Sequence, residues 1–215
     1  MGKSIRTETA TSPLTVLALD LGTKTGWALH GADQSITSGT VLFKNDRWQG
    51  GGMRFLRFKQ WLTEVKQVAG GLDAIFFEEV HRHLGVDAAH AYGGFLAHVT
   101  AWCEHHQIPY EGVPVGTIKR HATGKGNANK EAMIAAMQSC GFSPGDDNEA
   151  DALALLQWAR EQRMDPVTIA TKGAQPVLKG AYLWKFFHFA AVLRASATCC
   201  ACCLCVPGMA LILEV

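Results

Sequence analysis

Acidic side chains stand at three separated places where an element of secondary structure is expected to end or begin. Asp20 ends one apolar run, and Glu78 and Glu79 end another. Asp147 and Asp151 open a segment rich in alanine and leucine. Carboxylates at the ends of buried strands are costly without a positive partner, and neighbouring carboxylates raise one another's pKa unless a cation binds among them. Oxygen ligands of this kind suit Mg²⁺ or Mn²⁺, so the pattern predicts a metal-dependent phosphodiesterase that acts on nucleic acid.

A basic segment lies between the second and third acidic positions. Residues 112–130 contain no acid, although the chain as a whole has a net charge of only +1. Local positive charge of this kind attracts phosphate groups. The side chains predicted to bind nucleic acid are Lys119, Arg120, Lys125 and Lys130.

The composition is that of an ordinary globular protein. With 215 residues, of which 48% are hydrophobic and 18% are charged, the chain is long enough for one good core and short for two domains. We expect a polar leader over residues 1–13, a nuclease domain over residues 14–165 and an atypical apolar tail over residues 166–215. The leader lacks the apolar stretch of a secretory signal, so the expected location is cytoplasmic.

The tail has an unusual cysteine content. Residues 199–205 hold five of the seven cysteines without the turn residues that usually separate metal ligands, which argues against a zinc site. The surrounding apolar run, residues 195–213, is nominally long enough to cross a bilayer. A proline and a glycine interrupt it, so an appended or out-of-register extension is favoured and no membrane partner is required. Cys103 and Cys140 fall in helical patterns and are expected to be core thiols.

Hydrophobic periodicity predicts a mixed α/β fold. Strands are predicted over residues 14–20, 27–30, 35–43, 72–80 and 108–115. Helices are predicted over residues 53–69, 87–107, 129–140 and 148–162. Gly22 and Gly26 mark the first turn, and Pro109 and Pro114 place the last strand at an edge. The first three strands form an antiparallel meander, and the order of elements predicts a mixed sheet flanked by helices.

Four segments resemble the RuvC family of Holliday junction resolvases, in particular its phage and prophage branch. Residues 17–26 are similar to the family's first strand, which carries a metal-binding aspartate, and residues 76–80 are similar to the strand of its second acid. Residues 117–130 are similar to its basic segment in spacing and glycine placement, and residues 148–154 are similar to its final helix.

The resemblance implies a fold, a site and an activity. The fold is ribonuclease H-like, a mixed five-stranded sheet with three antiparallel strands and then parallel strands. The metal ligands are Asp20, Glu78, selected over its neighbour, and Asp151, while Lys119 and Lys130 lie near the scissile phosphate. The activity is that of a crossover junction endodeoxyribonuclease of DNA recombination and repair. A homodimer would cleave branched DNA such as a four-way junction, using Mg²⁺ or, in its place, Mn²⁺, and would leave a 5′-phosphate and a 3′-hydroxyl.

The fourth site residue is left open between Asp147 and Asn148. The family usually places an acid or a histidine three residues before its last aspartate, where this chain has Asn148. Asp147 lies one helical turn before Asp151, on nearly the same face, and so can serve as a catalytic and metal-binding residue instead. Alternatively, either residue caps the helix, since both types are favoured at that position. Asp146 is expected to point about a third of a turn away.

Two other functions stay open at this point. A YqgF-like ribonuclease that processes structured RNA has a very similar opening turn, although the basic segment and the final helix favour a resolvase. The second alternative is a catalytically inactive nucleic-acid-binding protein, if the unusual tail reflects a damaged reading frame.

Aromatic residues outside the acidic positions also allow two interpretations. Tyr92, Phe95 and Trp102, in the second predicted helix, belong either to a dimer surface or to the core. Arg47 and Trp48 precede three consecutive glycines, which form either a plain linker or a loop that contacts phosphates and stacks on bases.

Overall fold

The computed structural model describes residues 14–81 and 85–162. The strands are β1 Val16–Asp20, β2 Lys24–His30, β3 Ile36–Leu42, β4 Ala74–Glu79 and β5 Tyr110–Pro114. The helices are α1 Met53–Val68, α2 Val86–His106, α3 Val115–Thr123, α4 Lys130–Ser139 and α5 Asp147–Gln162. Each predicted strand and helix is present, and α3 is additional.

One mixed sheet joins the strands in the order β3-β2-β1-β4-β5. The β1–β2 and β2–β3 pairs are antiparallel, whereas the β1–β4 and β4–β5 pairs are parallel. The predicted arrangement, three antiparallel strands followed by parallel strands with helices on both faces, is confirmed. Strand β5 lies at an edge, where the missing N–H groups of Pro109 and Pro114 are tolerated.

Side chains alternate between the two faces of the sheet along each strand, so they pack into two separate cores. Odd-numbered residues of β1 and β4, such as Leu19 and Phe77, pack against α1 and α2. Even-numbered residues, such as Ala18 and Phe76, pack in the core that contains α5 and residues of α3 and α4. The sheet is therefore covered on both faces, and the parity of a strand residue decides which helices it meets.

Helix α5 approaches the sheet very closely. It is buried on almost every side, and Gly26 of β2 lies directly under the backbone of Asn148. A Cβ atom at Gly26 would overlap the carbonyl group of Asn148, so only glycine fits. Because Gly26 pairs with Asp20 across the β1–β2 ladder, this contact brings the start of α5 beside the end of β1.

Two local predictions are wrong. Gly26 lies inside a strand rather than in a turn, because β2 already begins at Lys24. Residues 115–123 form helix α3, for which no helix is predicted. The helix is short, Pro114 precedes it, and Gly124 ends it with a left-handed φ of 77°. Proline and glycine are found at the ends of helices but also in loops. Their presence at the two ends of α3 therefore did not distinguish a short helix from a loop.

Several predictions concern residues outside the described ranges. The leader at 1–13 and the cysteine-rich tail at 166–215 are among them, so the domain boundaries stay predictions. Within the ranges that are described, no helix combines the length and apolarity needed to span a bilayer. Cys103 is buried as predicted, and burial raises the pKa of its thiol to about 12. Cys140 is exposed, contrary to prediction, because it lies just past the last turn of α4.

We expect Gly26→Ala to destabilise the fold. Alanine in a strand is normally more stable than glycine, but here its Cβ would overlap the Asn148 carbonyl group and push α5 away from the sheet. The free energy of unfolding, measured by urea denaturation, should fall by about 1–3 kcal/mol. Gly51→Ala is the matched control, because a Cβ atom there meets nothing within 4 Å. Equal stability of the two variants would disprove the importance of this close approach.

Candidate active site

Asp20 and Glu78 lie side by side at the carboxyl ends of two parallel strands. The register pairs Leu19 of β1 with Phe77 of β4, so the next residue of each strand is an acid. Both acids continue the even-numbered face that packs on α5, whereas Glu79 continues the opposite face. Strand alternation therefore gives a physical reason for placing Glu78, and not Glu79, beside Asp20.

The carboxyl groups of Asp20 and Glu78 are close enough to interact directly, and burial raises the pKa of both. Burial, and then the charge of Glu78, raise the pKa of Asp20 well above its ordinary value. Burial also raises the pKa of Glu78, although the hydrogen bond from Asp20 and the charge of Lys119 oppose the rise. Two adjacent carboxylates with little access to water repel each other, so the pair favours binding a proton or a cation.

Asp151 adds a third carboxyl group from α5. Burial, and then the charge of Glu78, raise the pKa of Asp151 to about 7, while the charge of Lys119 opposes the shift. The Oδ1 atom of Asp151 is buried and has no hydrogen-bond partner among the described residues. A buried oxygen without a partner costs free energy, so a ligand that binds this atom would stabilise the site.

The side chain that caps α5 is Asp146. Its Oδ1 atom accepts a hydrogen bond from the backbone N–H of Glu149 at 2.9 Å, which is the geometry of an N-cap. The sheet holds the same carboxylate through Thr40, which donates to Oδ1 at 2.9 Å, and Lys24, which lies 3.2 Å from Oδ2. The alternative in which Asp147 or Asn148 caps the helix is therefore wrong.

Asp147 lies at the border between the acids and the basic segment. It accepts a hydrogen bond from Lys130 at the start of α4 and forms an ion pair with it. This hydrogen bond holds the pKa of Asp147 below its ordinary value. The charge of Asp147 also contributes to the raised pKa values of Asp20 and Asp151. The structure thus brings all the predicted acids together, with Asp147 already neutralised by a lysine.

The basic side chains divide into two groups. Lys119 lies on α3, where its Nζ donates to the Ala128 carbonyl at 3.1 Å and its charge lowers the pKa values of two of the acids. Lys130 is itself exposed, but it reaches the acids through its ion pair with Asp147. Arg120 and Lys125 are exposed. The structure therefore places Lys119 and Lys130 at the acids and leaves Arg120 and Lys125 facing solvent.

Tyr92 of α2 is a positioning residue that the sequence did not reveal. Its hydroxyl donates to the backbone carbonyl of Glu78 at 3.0 Å and accepts from the N–H of Val80 at 3.1 Å. These bonds fix the end of β4 from the opposite face of the sheet. Tyr92, Phe95 and Trp102 are all buried, so they belong to the core and not to a dimer surface.

The donor chemistry of the site fits a divalent cation. Asp20, Glu78 and Asp151 offer oxygen atoms, and the Oδ1 atom of Asp151 lacks a partner within the described part of the chain. As the side chains lie, no three histidines, cysteines or acids within residues 14–81 and 85–162 are spaced to hold a metal ion. Binding of a cation would therefore require these side chains to move from their present positions.

Comparison with known proteins gives no sequence relative. No protein-family model matches this chain, and no curated protein matches it.

Comparison with solved structures does identify the fold. Thermus thermophilus RuvC in complex with a Holliday junction substrate has a TM-score of 0.54 and 22% identity, covering 66% of this chain and 90% of that one. A further structure of T. thermophilus RuvC has a TM-score of 0.54 and 20% identity, covering 69% of this chain and 96% of that one. A yeast mitochondrial Holliday junction resolvase has a TM-score of 0.51 and 10% identity, covering 76% of this chain and 84% of that one. The chain therefore has the ribonuclease H-like fold of RuvC.

We expect Asp151→Asn to stabilise the protein when no divalent metal is present. The folded state binds the proton of Asp151 more tightly than the unfolded chain does, so stability falls as the pH rises from 3.8 to about 7. Asparagine does not ionise and escapes this loss. In EDTA at pH 8, the free energy of unfolding measured in urea should rise by about 1–3 kcal/mol, with a smaller gain at pH 5.

Asp147→Asn is the matched control for this measurement. The hydrogen bond from Lys130 lowers the pKa of Asp147, so removing that charge relieves no comparable penalty and should give no gain at pH 8. If Asp151→Asn proved less stable than the unmodified protein at pH 8, the cost assigned to ionising the Asp151 carboxyl group in its partly buried position would be disproved.

Proposed function

We infer that this protein is a divalent-metal-dependent endonuclease that cleaves branched DNA, as a Holliday junction resolvase does. The observation that carries this proposal is the convergence of Asp20, Glu78 and Asp151, whose raised pKa values and unpartnered oxygen are those of a cluster that needs a cation. The fold supports the choice of substrate, because a RuvC with the same fold was solved with a Holliday junction.

The acids would hold Mg²⁺, or Mn²⁺ in its place, with Asp147 or Asn148 completing the shell. Bound ions of this kind make the attacking water more acidic and stabilise the leaving oxygen. Burial of Glu78 helps, since a carboxylate with little water around it interacts more strongly with a cation. Cleavage would leave a 5′-phosphate and a 3′-hydroxyl.

Lys119 and Lys130 would counter the charge that builds on the scissile phosphate. Lys119 is oriented by the Ala128 carbonyl, so its ammonium group is positioned before the substrate arrives. Lys130 pairs with Asp147, and an incoming phosphate would compete for it. Arg120 and Lys125 are exposed and would bind the DNA backbone away from the reacting phosphate.

A four-way junction also sets a requirement on assembly. Its approximate two-fold symmetry demands two active sites at a fixed separation, which a homodimer supplies. A role in cytoplasmic DNA recombination and repair, and a place in the phage branch, follow as part of the same proposal. Structured RNA is the alternative substrate, and an inactive nucleic-acid-binding protein is the alternative function.

Asp20→Asn should abolish cleavage while DNA binding stays within a few-fold of that of the unmodified protein. Asparagine keeps the size of the side chain but removes a charge that a cation needs. The assay is Mg²⁺-dependent nicking of a labelled four-way junction by the full chain, beside a linear duplex and an RNA hairpin. A separate readout is the thermal shift in Mn²⁺, which should disappear in the variant because ligand binding stabilises only an intact site.

Glu79→Gln is the matched control for this experiment. Glu79 lies next to Glu78 in sequence but continues the opposite face of the sheet, so its variant should keep both cleavage and the Mn²⁺ shift. Persistent nicking by Asp20→Asn would refute the metal assignment. Cleavage of the hairpin but not of the junction would instead favour the ribonuclease.

Lys119→Gln should lower kcat for junction cleavage roughly 100-fold to 1000-fold, because one preoriented positive group near the developing charge is lost. Lys125→Gln is the comparison. Its exposed ammonium group should affect affinity instead, reducing the slope of log affinity against log salt by about 1. Single-turnover cleavage and titrations at several salt concentrations separate the two effects. Equal effects of both variants on kcat would contradict the placement of Lys119 at the acids.

A further inference from the structure

Trp48 is a large aromatic side chain that is almost fully exposed to solvent. It lies in the loop between β3 and α1, and 88% of its surface is accessible to solvent. No other aromatic ring of residues 14–81 and 85–162 packs against it. A single exposed apolar residue is common on proteins, so exposure alone carries no conclusion. Its surroundings provide four further observations.

A positive charge lies over one face of the Trp48 ring. The guanidinium carbon of Arg47 is 5.2 Å from the ring centroid, within the range of a cation–π interaction. The opposite face is left to solvent. A planar partner could therefore stack on the free face while Arg47 lies close enough to meet a phosphate attached to that partner.

The backbone that presents Trp48 is tied down by hydrogen bonds. Asp46 and Gln49 close a turn around it, with the Gln49 N–H donating to the Asp46 carbonyl at 3.1 Å. Asn45 Nδ2 donates to the Gly50 carbonyl at 3.1 Å, and Arg57 Nη1 of α1 donates to the Lys44 carbonyl at 3.0 Å. A fixed loop loses little conformational entropy when a ligand binds. Binding of a ligand to Trp48 would therefore have a low entropic cost.

The loop begins at the carboxyl end of β3. This end of the sheet is also where β1 and β4 end, with Asp20 and Glu78. Strands β1 and β3 are both antiparallel to β2, so they run in the same direction and end on the same side. Just past β3, the Phe43 N–H donates to the Thr23 carbonyl at 2.7 Å, which ties the loop to the turn that follows Asp20. Arg54 also reaches Thr23, at 3.5 Å.

The local charge favours a polyanion. Residues 44–57 contain four basic side chains and a single acid, Asp46. The basic residues are Lys44, Arg47, Arg54 and Arg57. An exposed indole beside this excess of positive charge suits a nucleic acid, whose bases stack on aromatic rings while its phosphates pair with the cations.

We propose that Trp48 and Arg47 form a base-stacking contact for nucleic acid bound at the acids. Trp48 stacks on a base that is unpaired or ends a helical arm, and Arg47 pairs with the adjoining phosphate. This deepens the proposed function, because it rests on nucleic acid being the substrate. The contact distinguishes branched or single-stranded nucleic acid from continuous duplex, in which no base face is free.

Binding of the full chain in EDTA tests this contact separately from cleavage. Trp48→Ala should weaken binding to a four-way junction and to single-stranded DNA by roughly 5-fold to 100-fold, while leaving the slope against salt unchanged. Trp48→Phe should recover most of the affinity, because phenylalanine also stacks. Arg47→Gln should reduce the slope by about 1. A 2-aminopurine at the branch point should show quenching on binding that Trp48→Ala loses.

Val68→Ala is the matched control, because Val68 is 89% exposed on α1 and lies outside the loop. It should bind like the unmodified protein. Normal junction affinity and quenching in Trp48→Ala would overturn the stacking contact and leave the proposed function intact. If the unmodified protein bound no nucleic acid, the proposed function would fall together with the contact. Loss of a dimer in sedimentation by Trp48→Ala would assign the indole to a protein interface and overturn the contact.

Discussion

The fold brings one buried and two partly buried carboxyl groups close together, and their limited access to water makes it costly for all three to be ionised. Asp20 and Glu78 end adjacent parallel strands, and Asp151 faces them from α5. Burial raises the pKa values of the first two, and the third has an oxygen without a hydrogen-bond partner among the described residues. This arrangement costs stability, because each carboxyl group is harder to ionise than in water. The apolar contacts in the two cores of the sheet offset this cost.

The other constraint is the distance between α5 and the sheet, since Asp151 reaches the strand ends only if the helix sits very close. Gly26 removes the side chain that would prevent this approach. Hydrogen bonds from Thr40 to Asp146 and, at 2.6 Å, from Ser38 to Glu149 then hold the first turn of α5 against β3. The contacts that cap α5 and hold it close to the sheet therefore also set the position of Asp151.

Much of this could be predicted from the sequence, because strands and amphipathic helices are local patterns. The acids at strand ends were equally visible, and alternation along β4 is enough to separate Glu78 from Glu79 once the apolar neighbours are placed. Other features depend on contacts between distant residues. Gly26 resembles any turn glycine until Asn148 is packed on it, and the hydroxyl of Tyr92 aims at β4 from across the sheet. Neither contact leaves a periodic signal.

The directions of the strands explain why candidate functional residues from distant parts of the chain lie at the same end of the sheet. Strands β1, β3, β4 and β5 run in the same direction, and only β2 runs against them. The carboxyl ends of those four strands therefore lie at the same end of the sheet. At that end of the sheet lie Asp20 and Glu78, the start of helix α3, whose middle carries Lys119, and the loop that carries Trp48. A five-residue strand is roughly 16 Å long, so an antiparallel β1–β4 pair would separate Asp20 from Glu78 by most of that length. The parallel pairing is therefore what allows these residues to form a site.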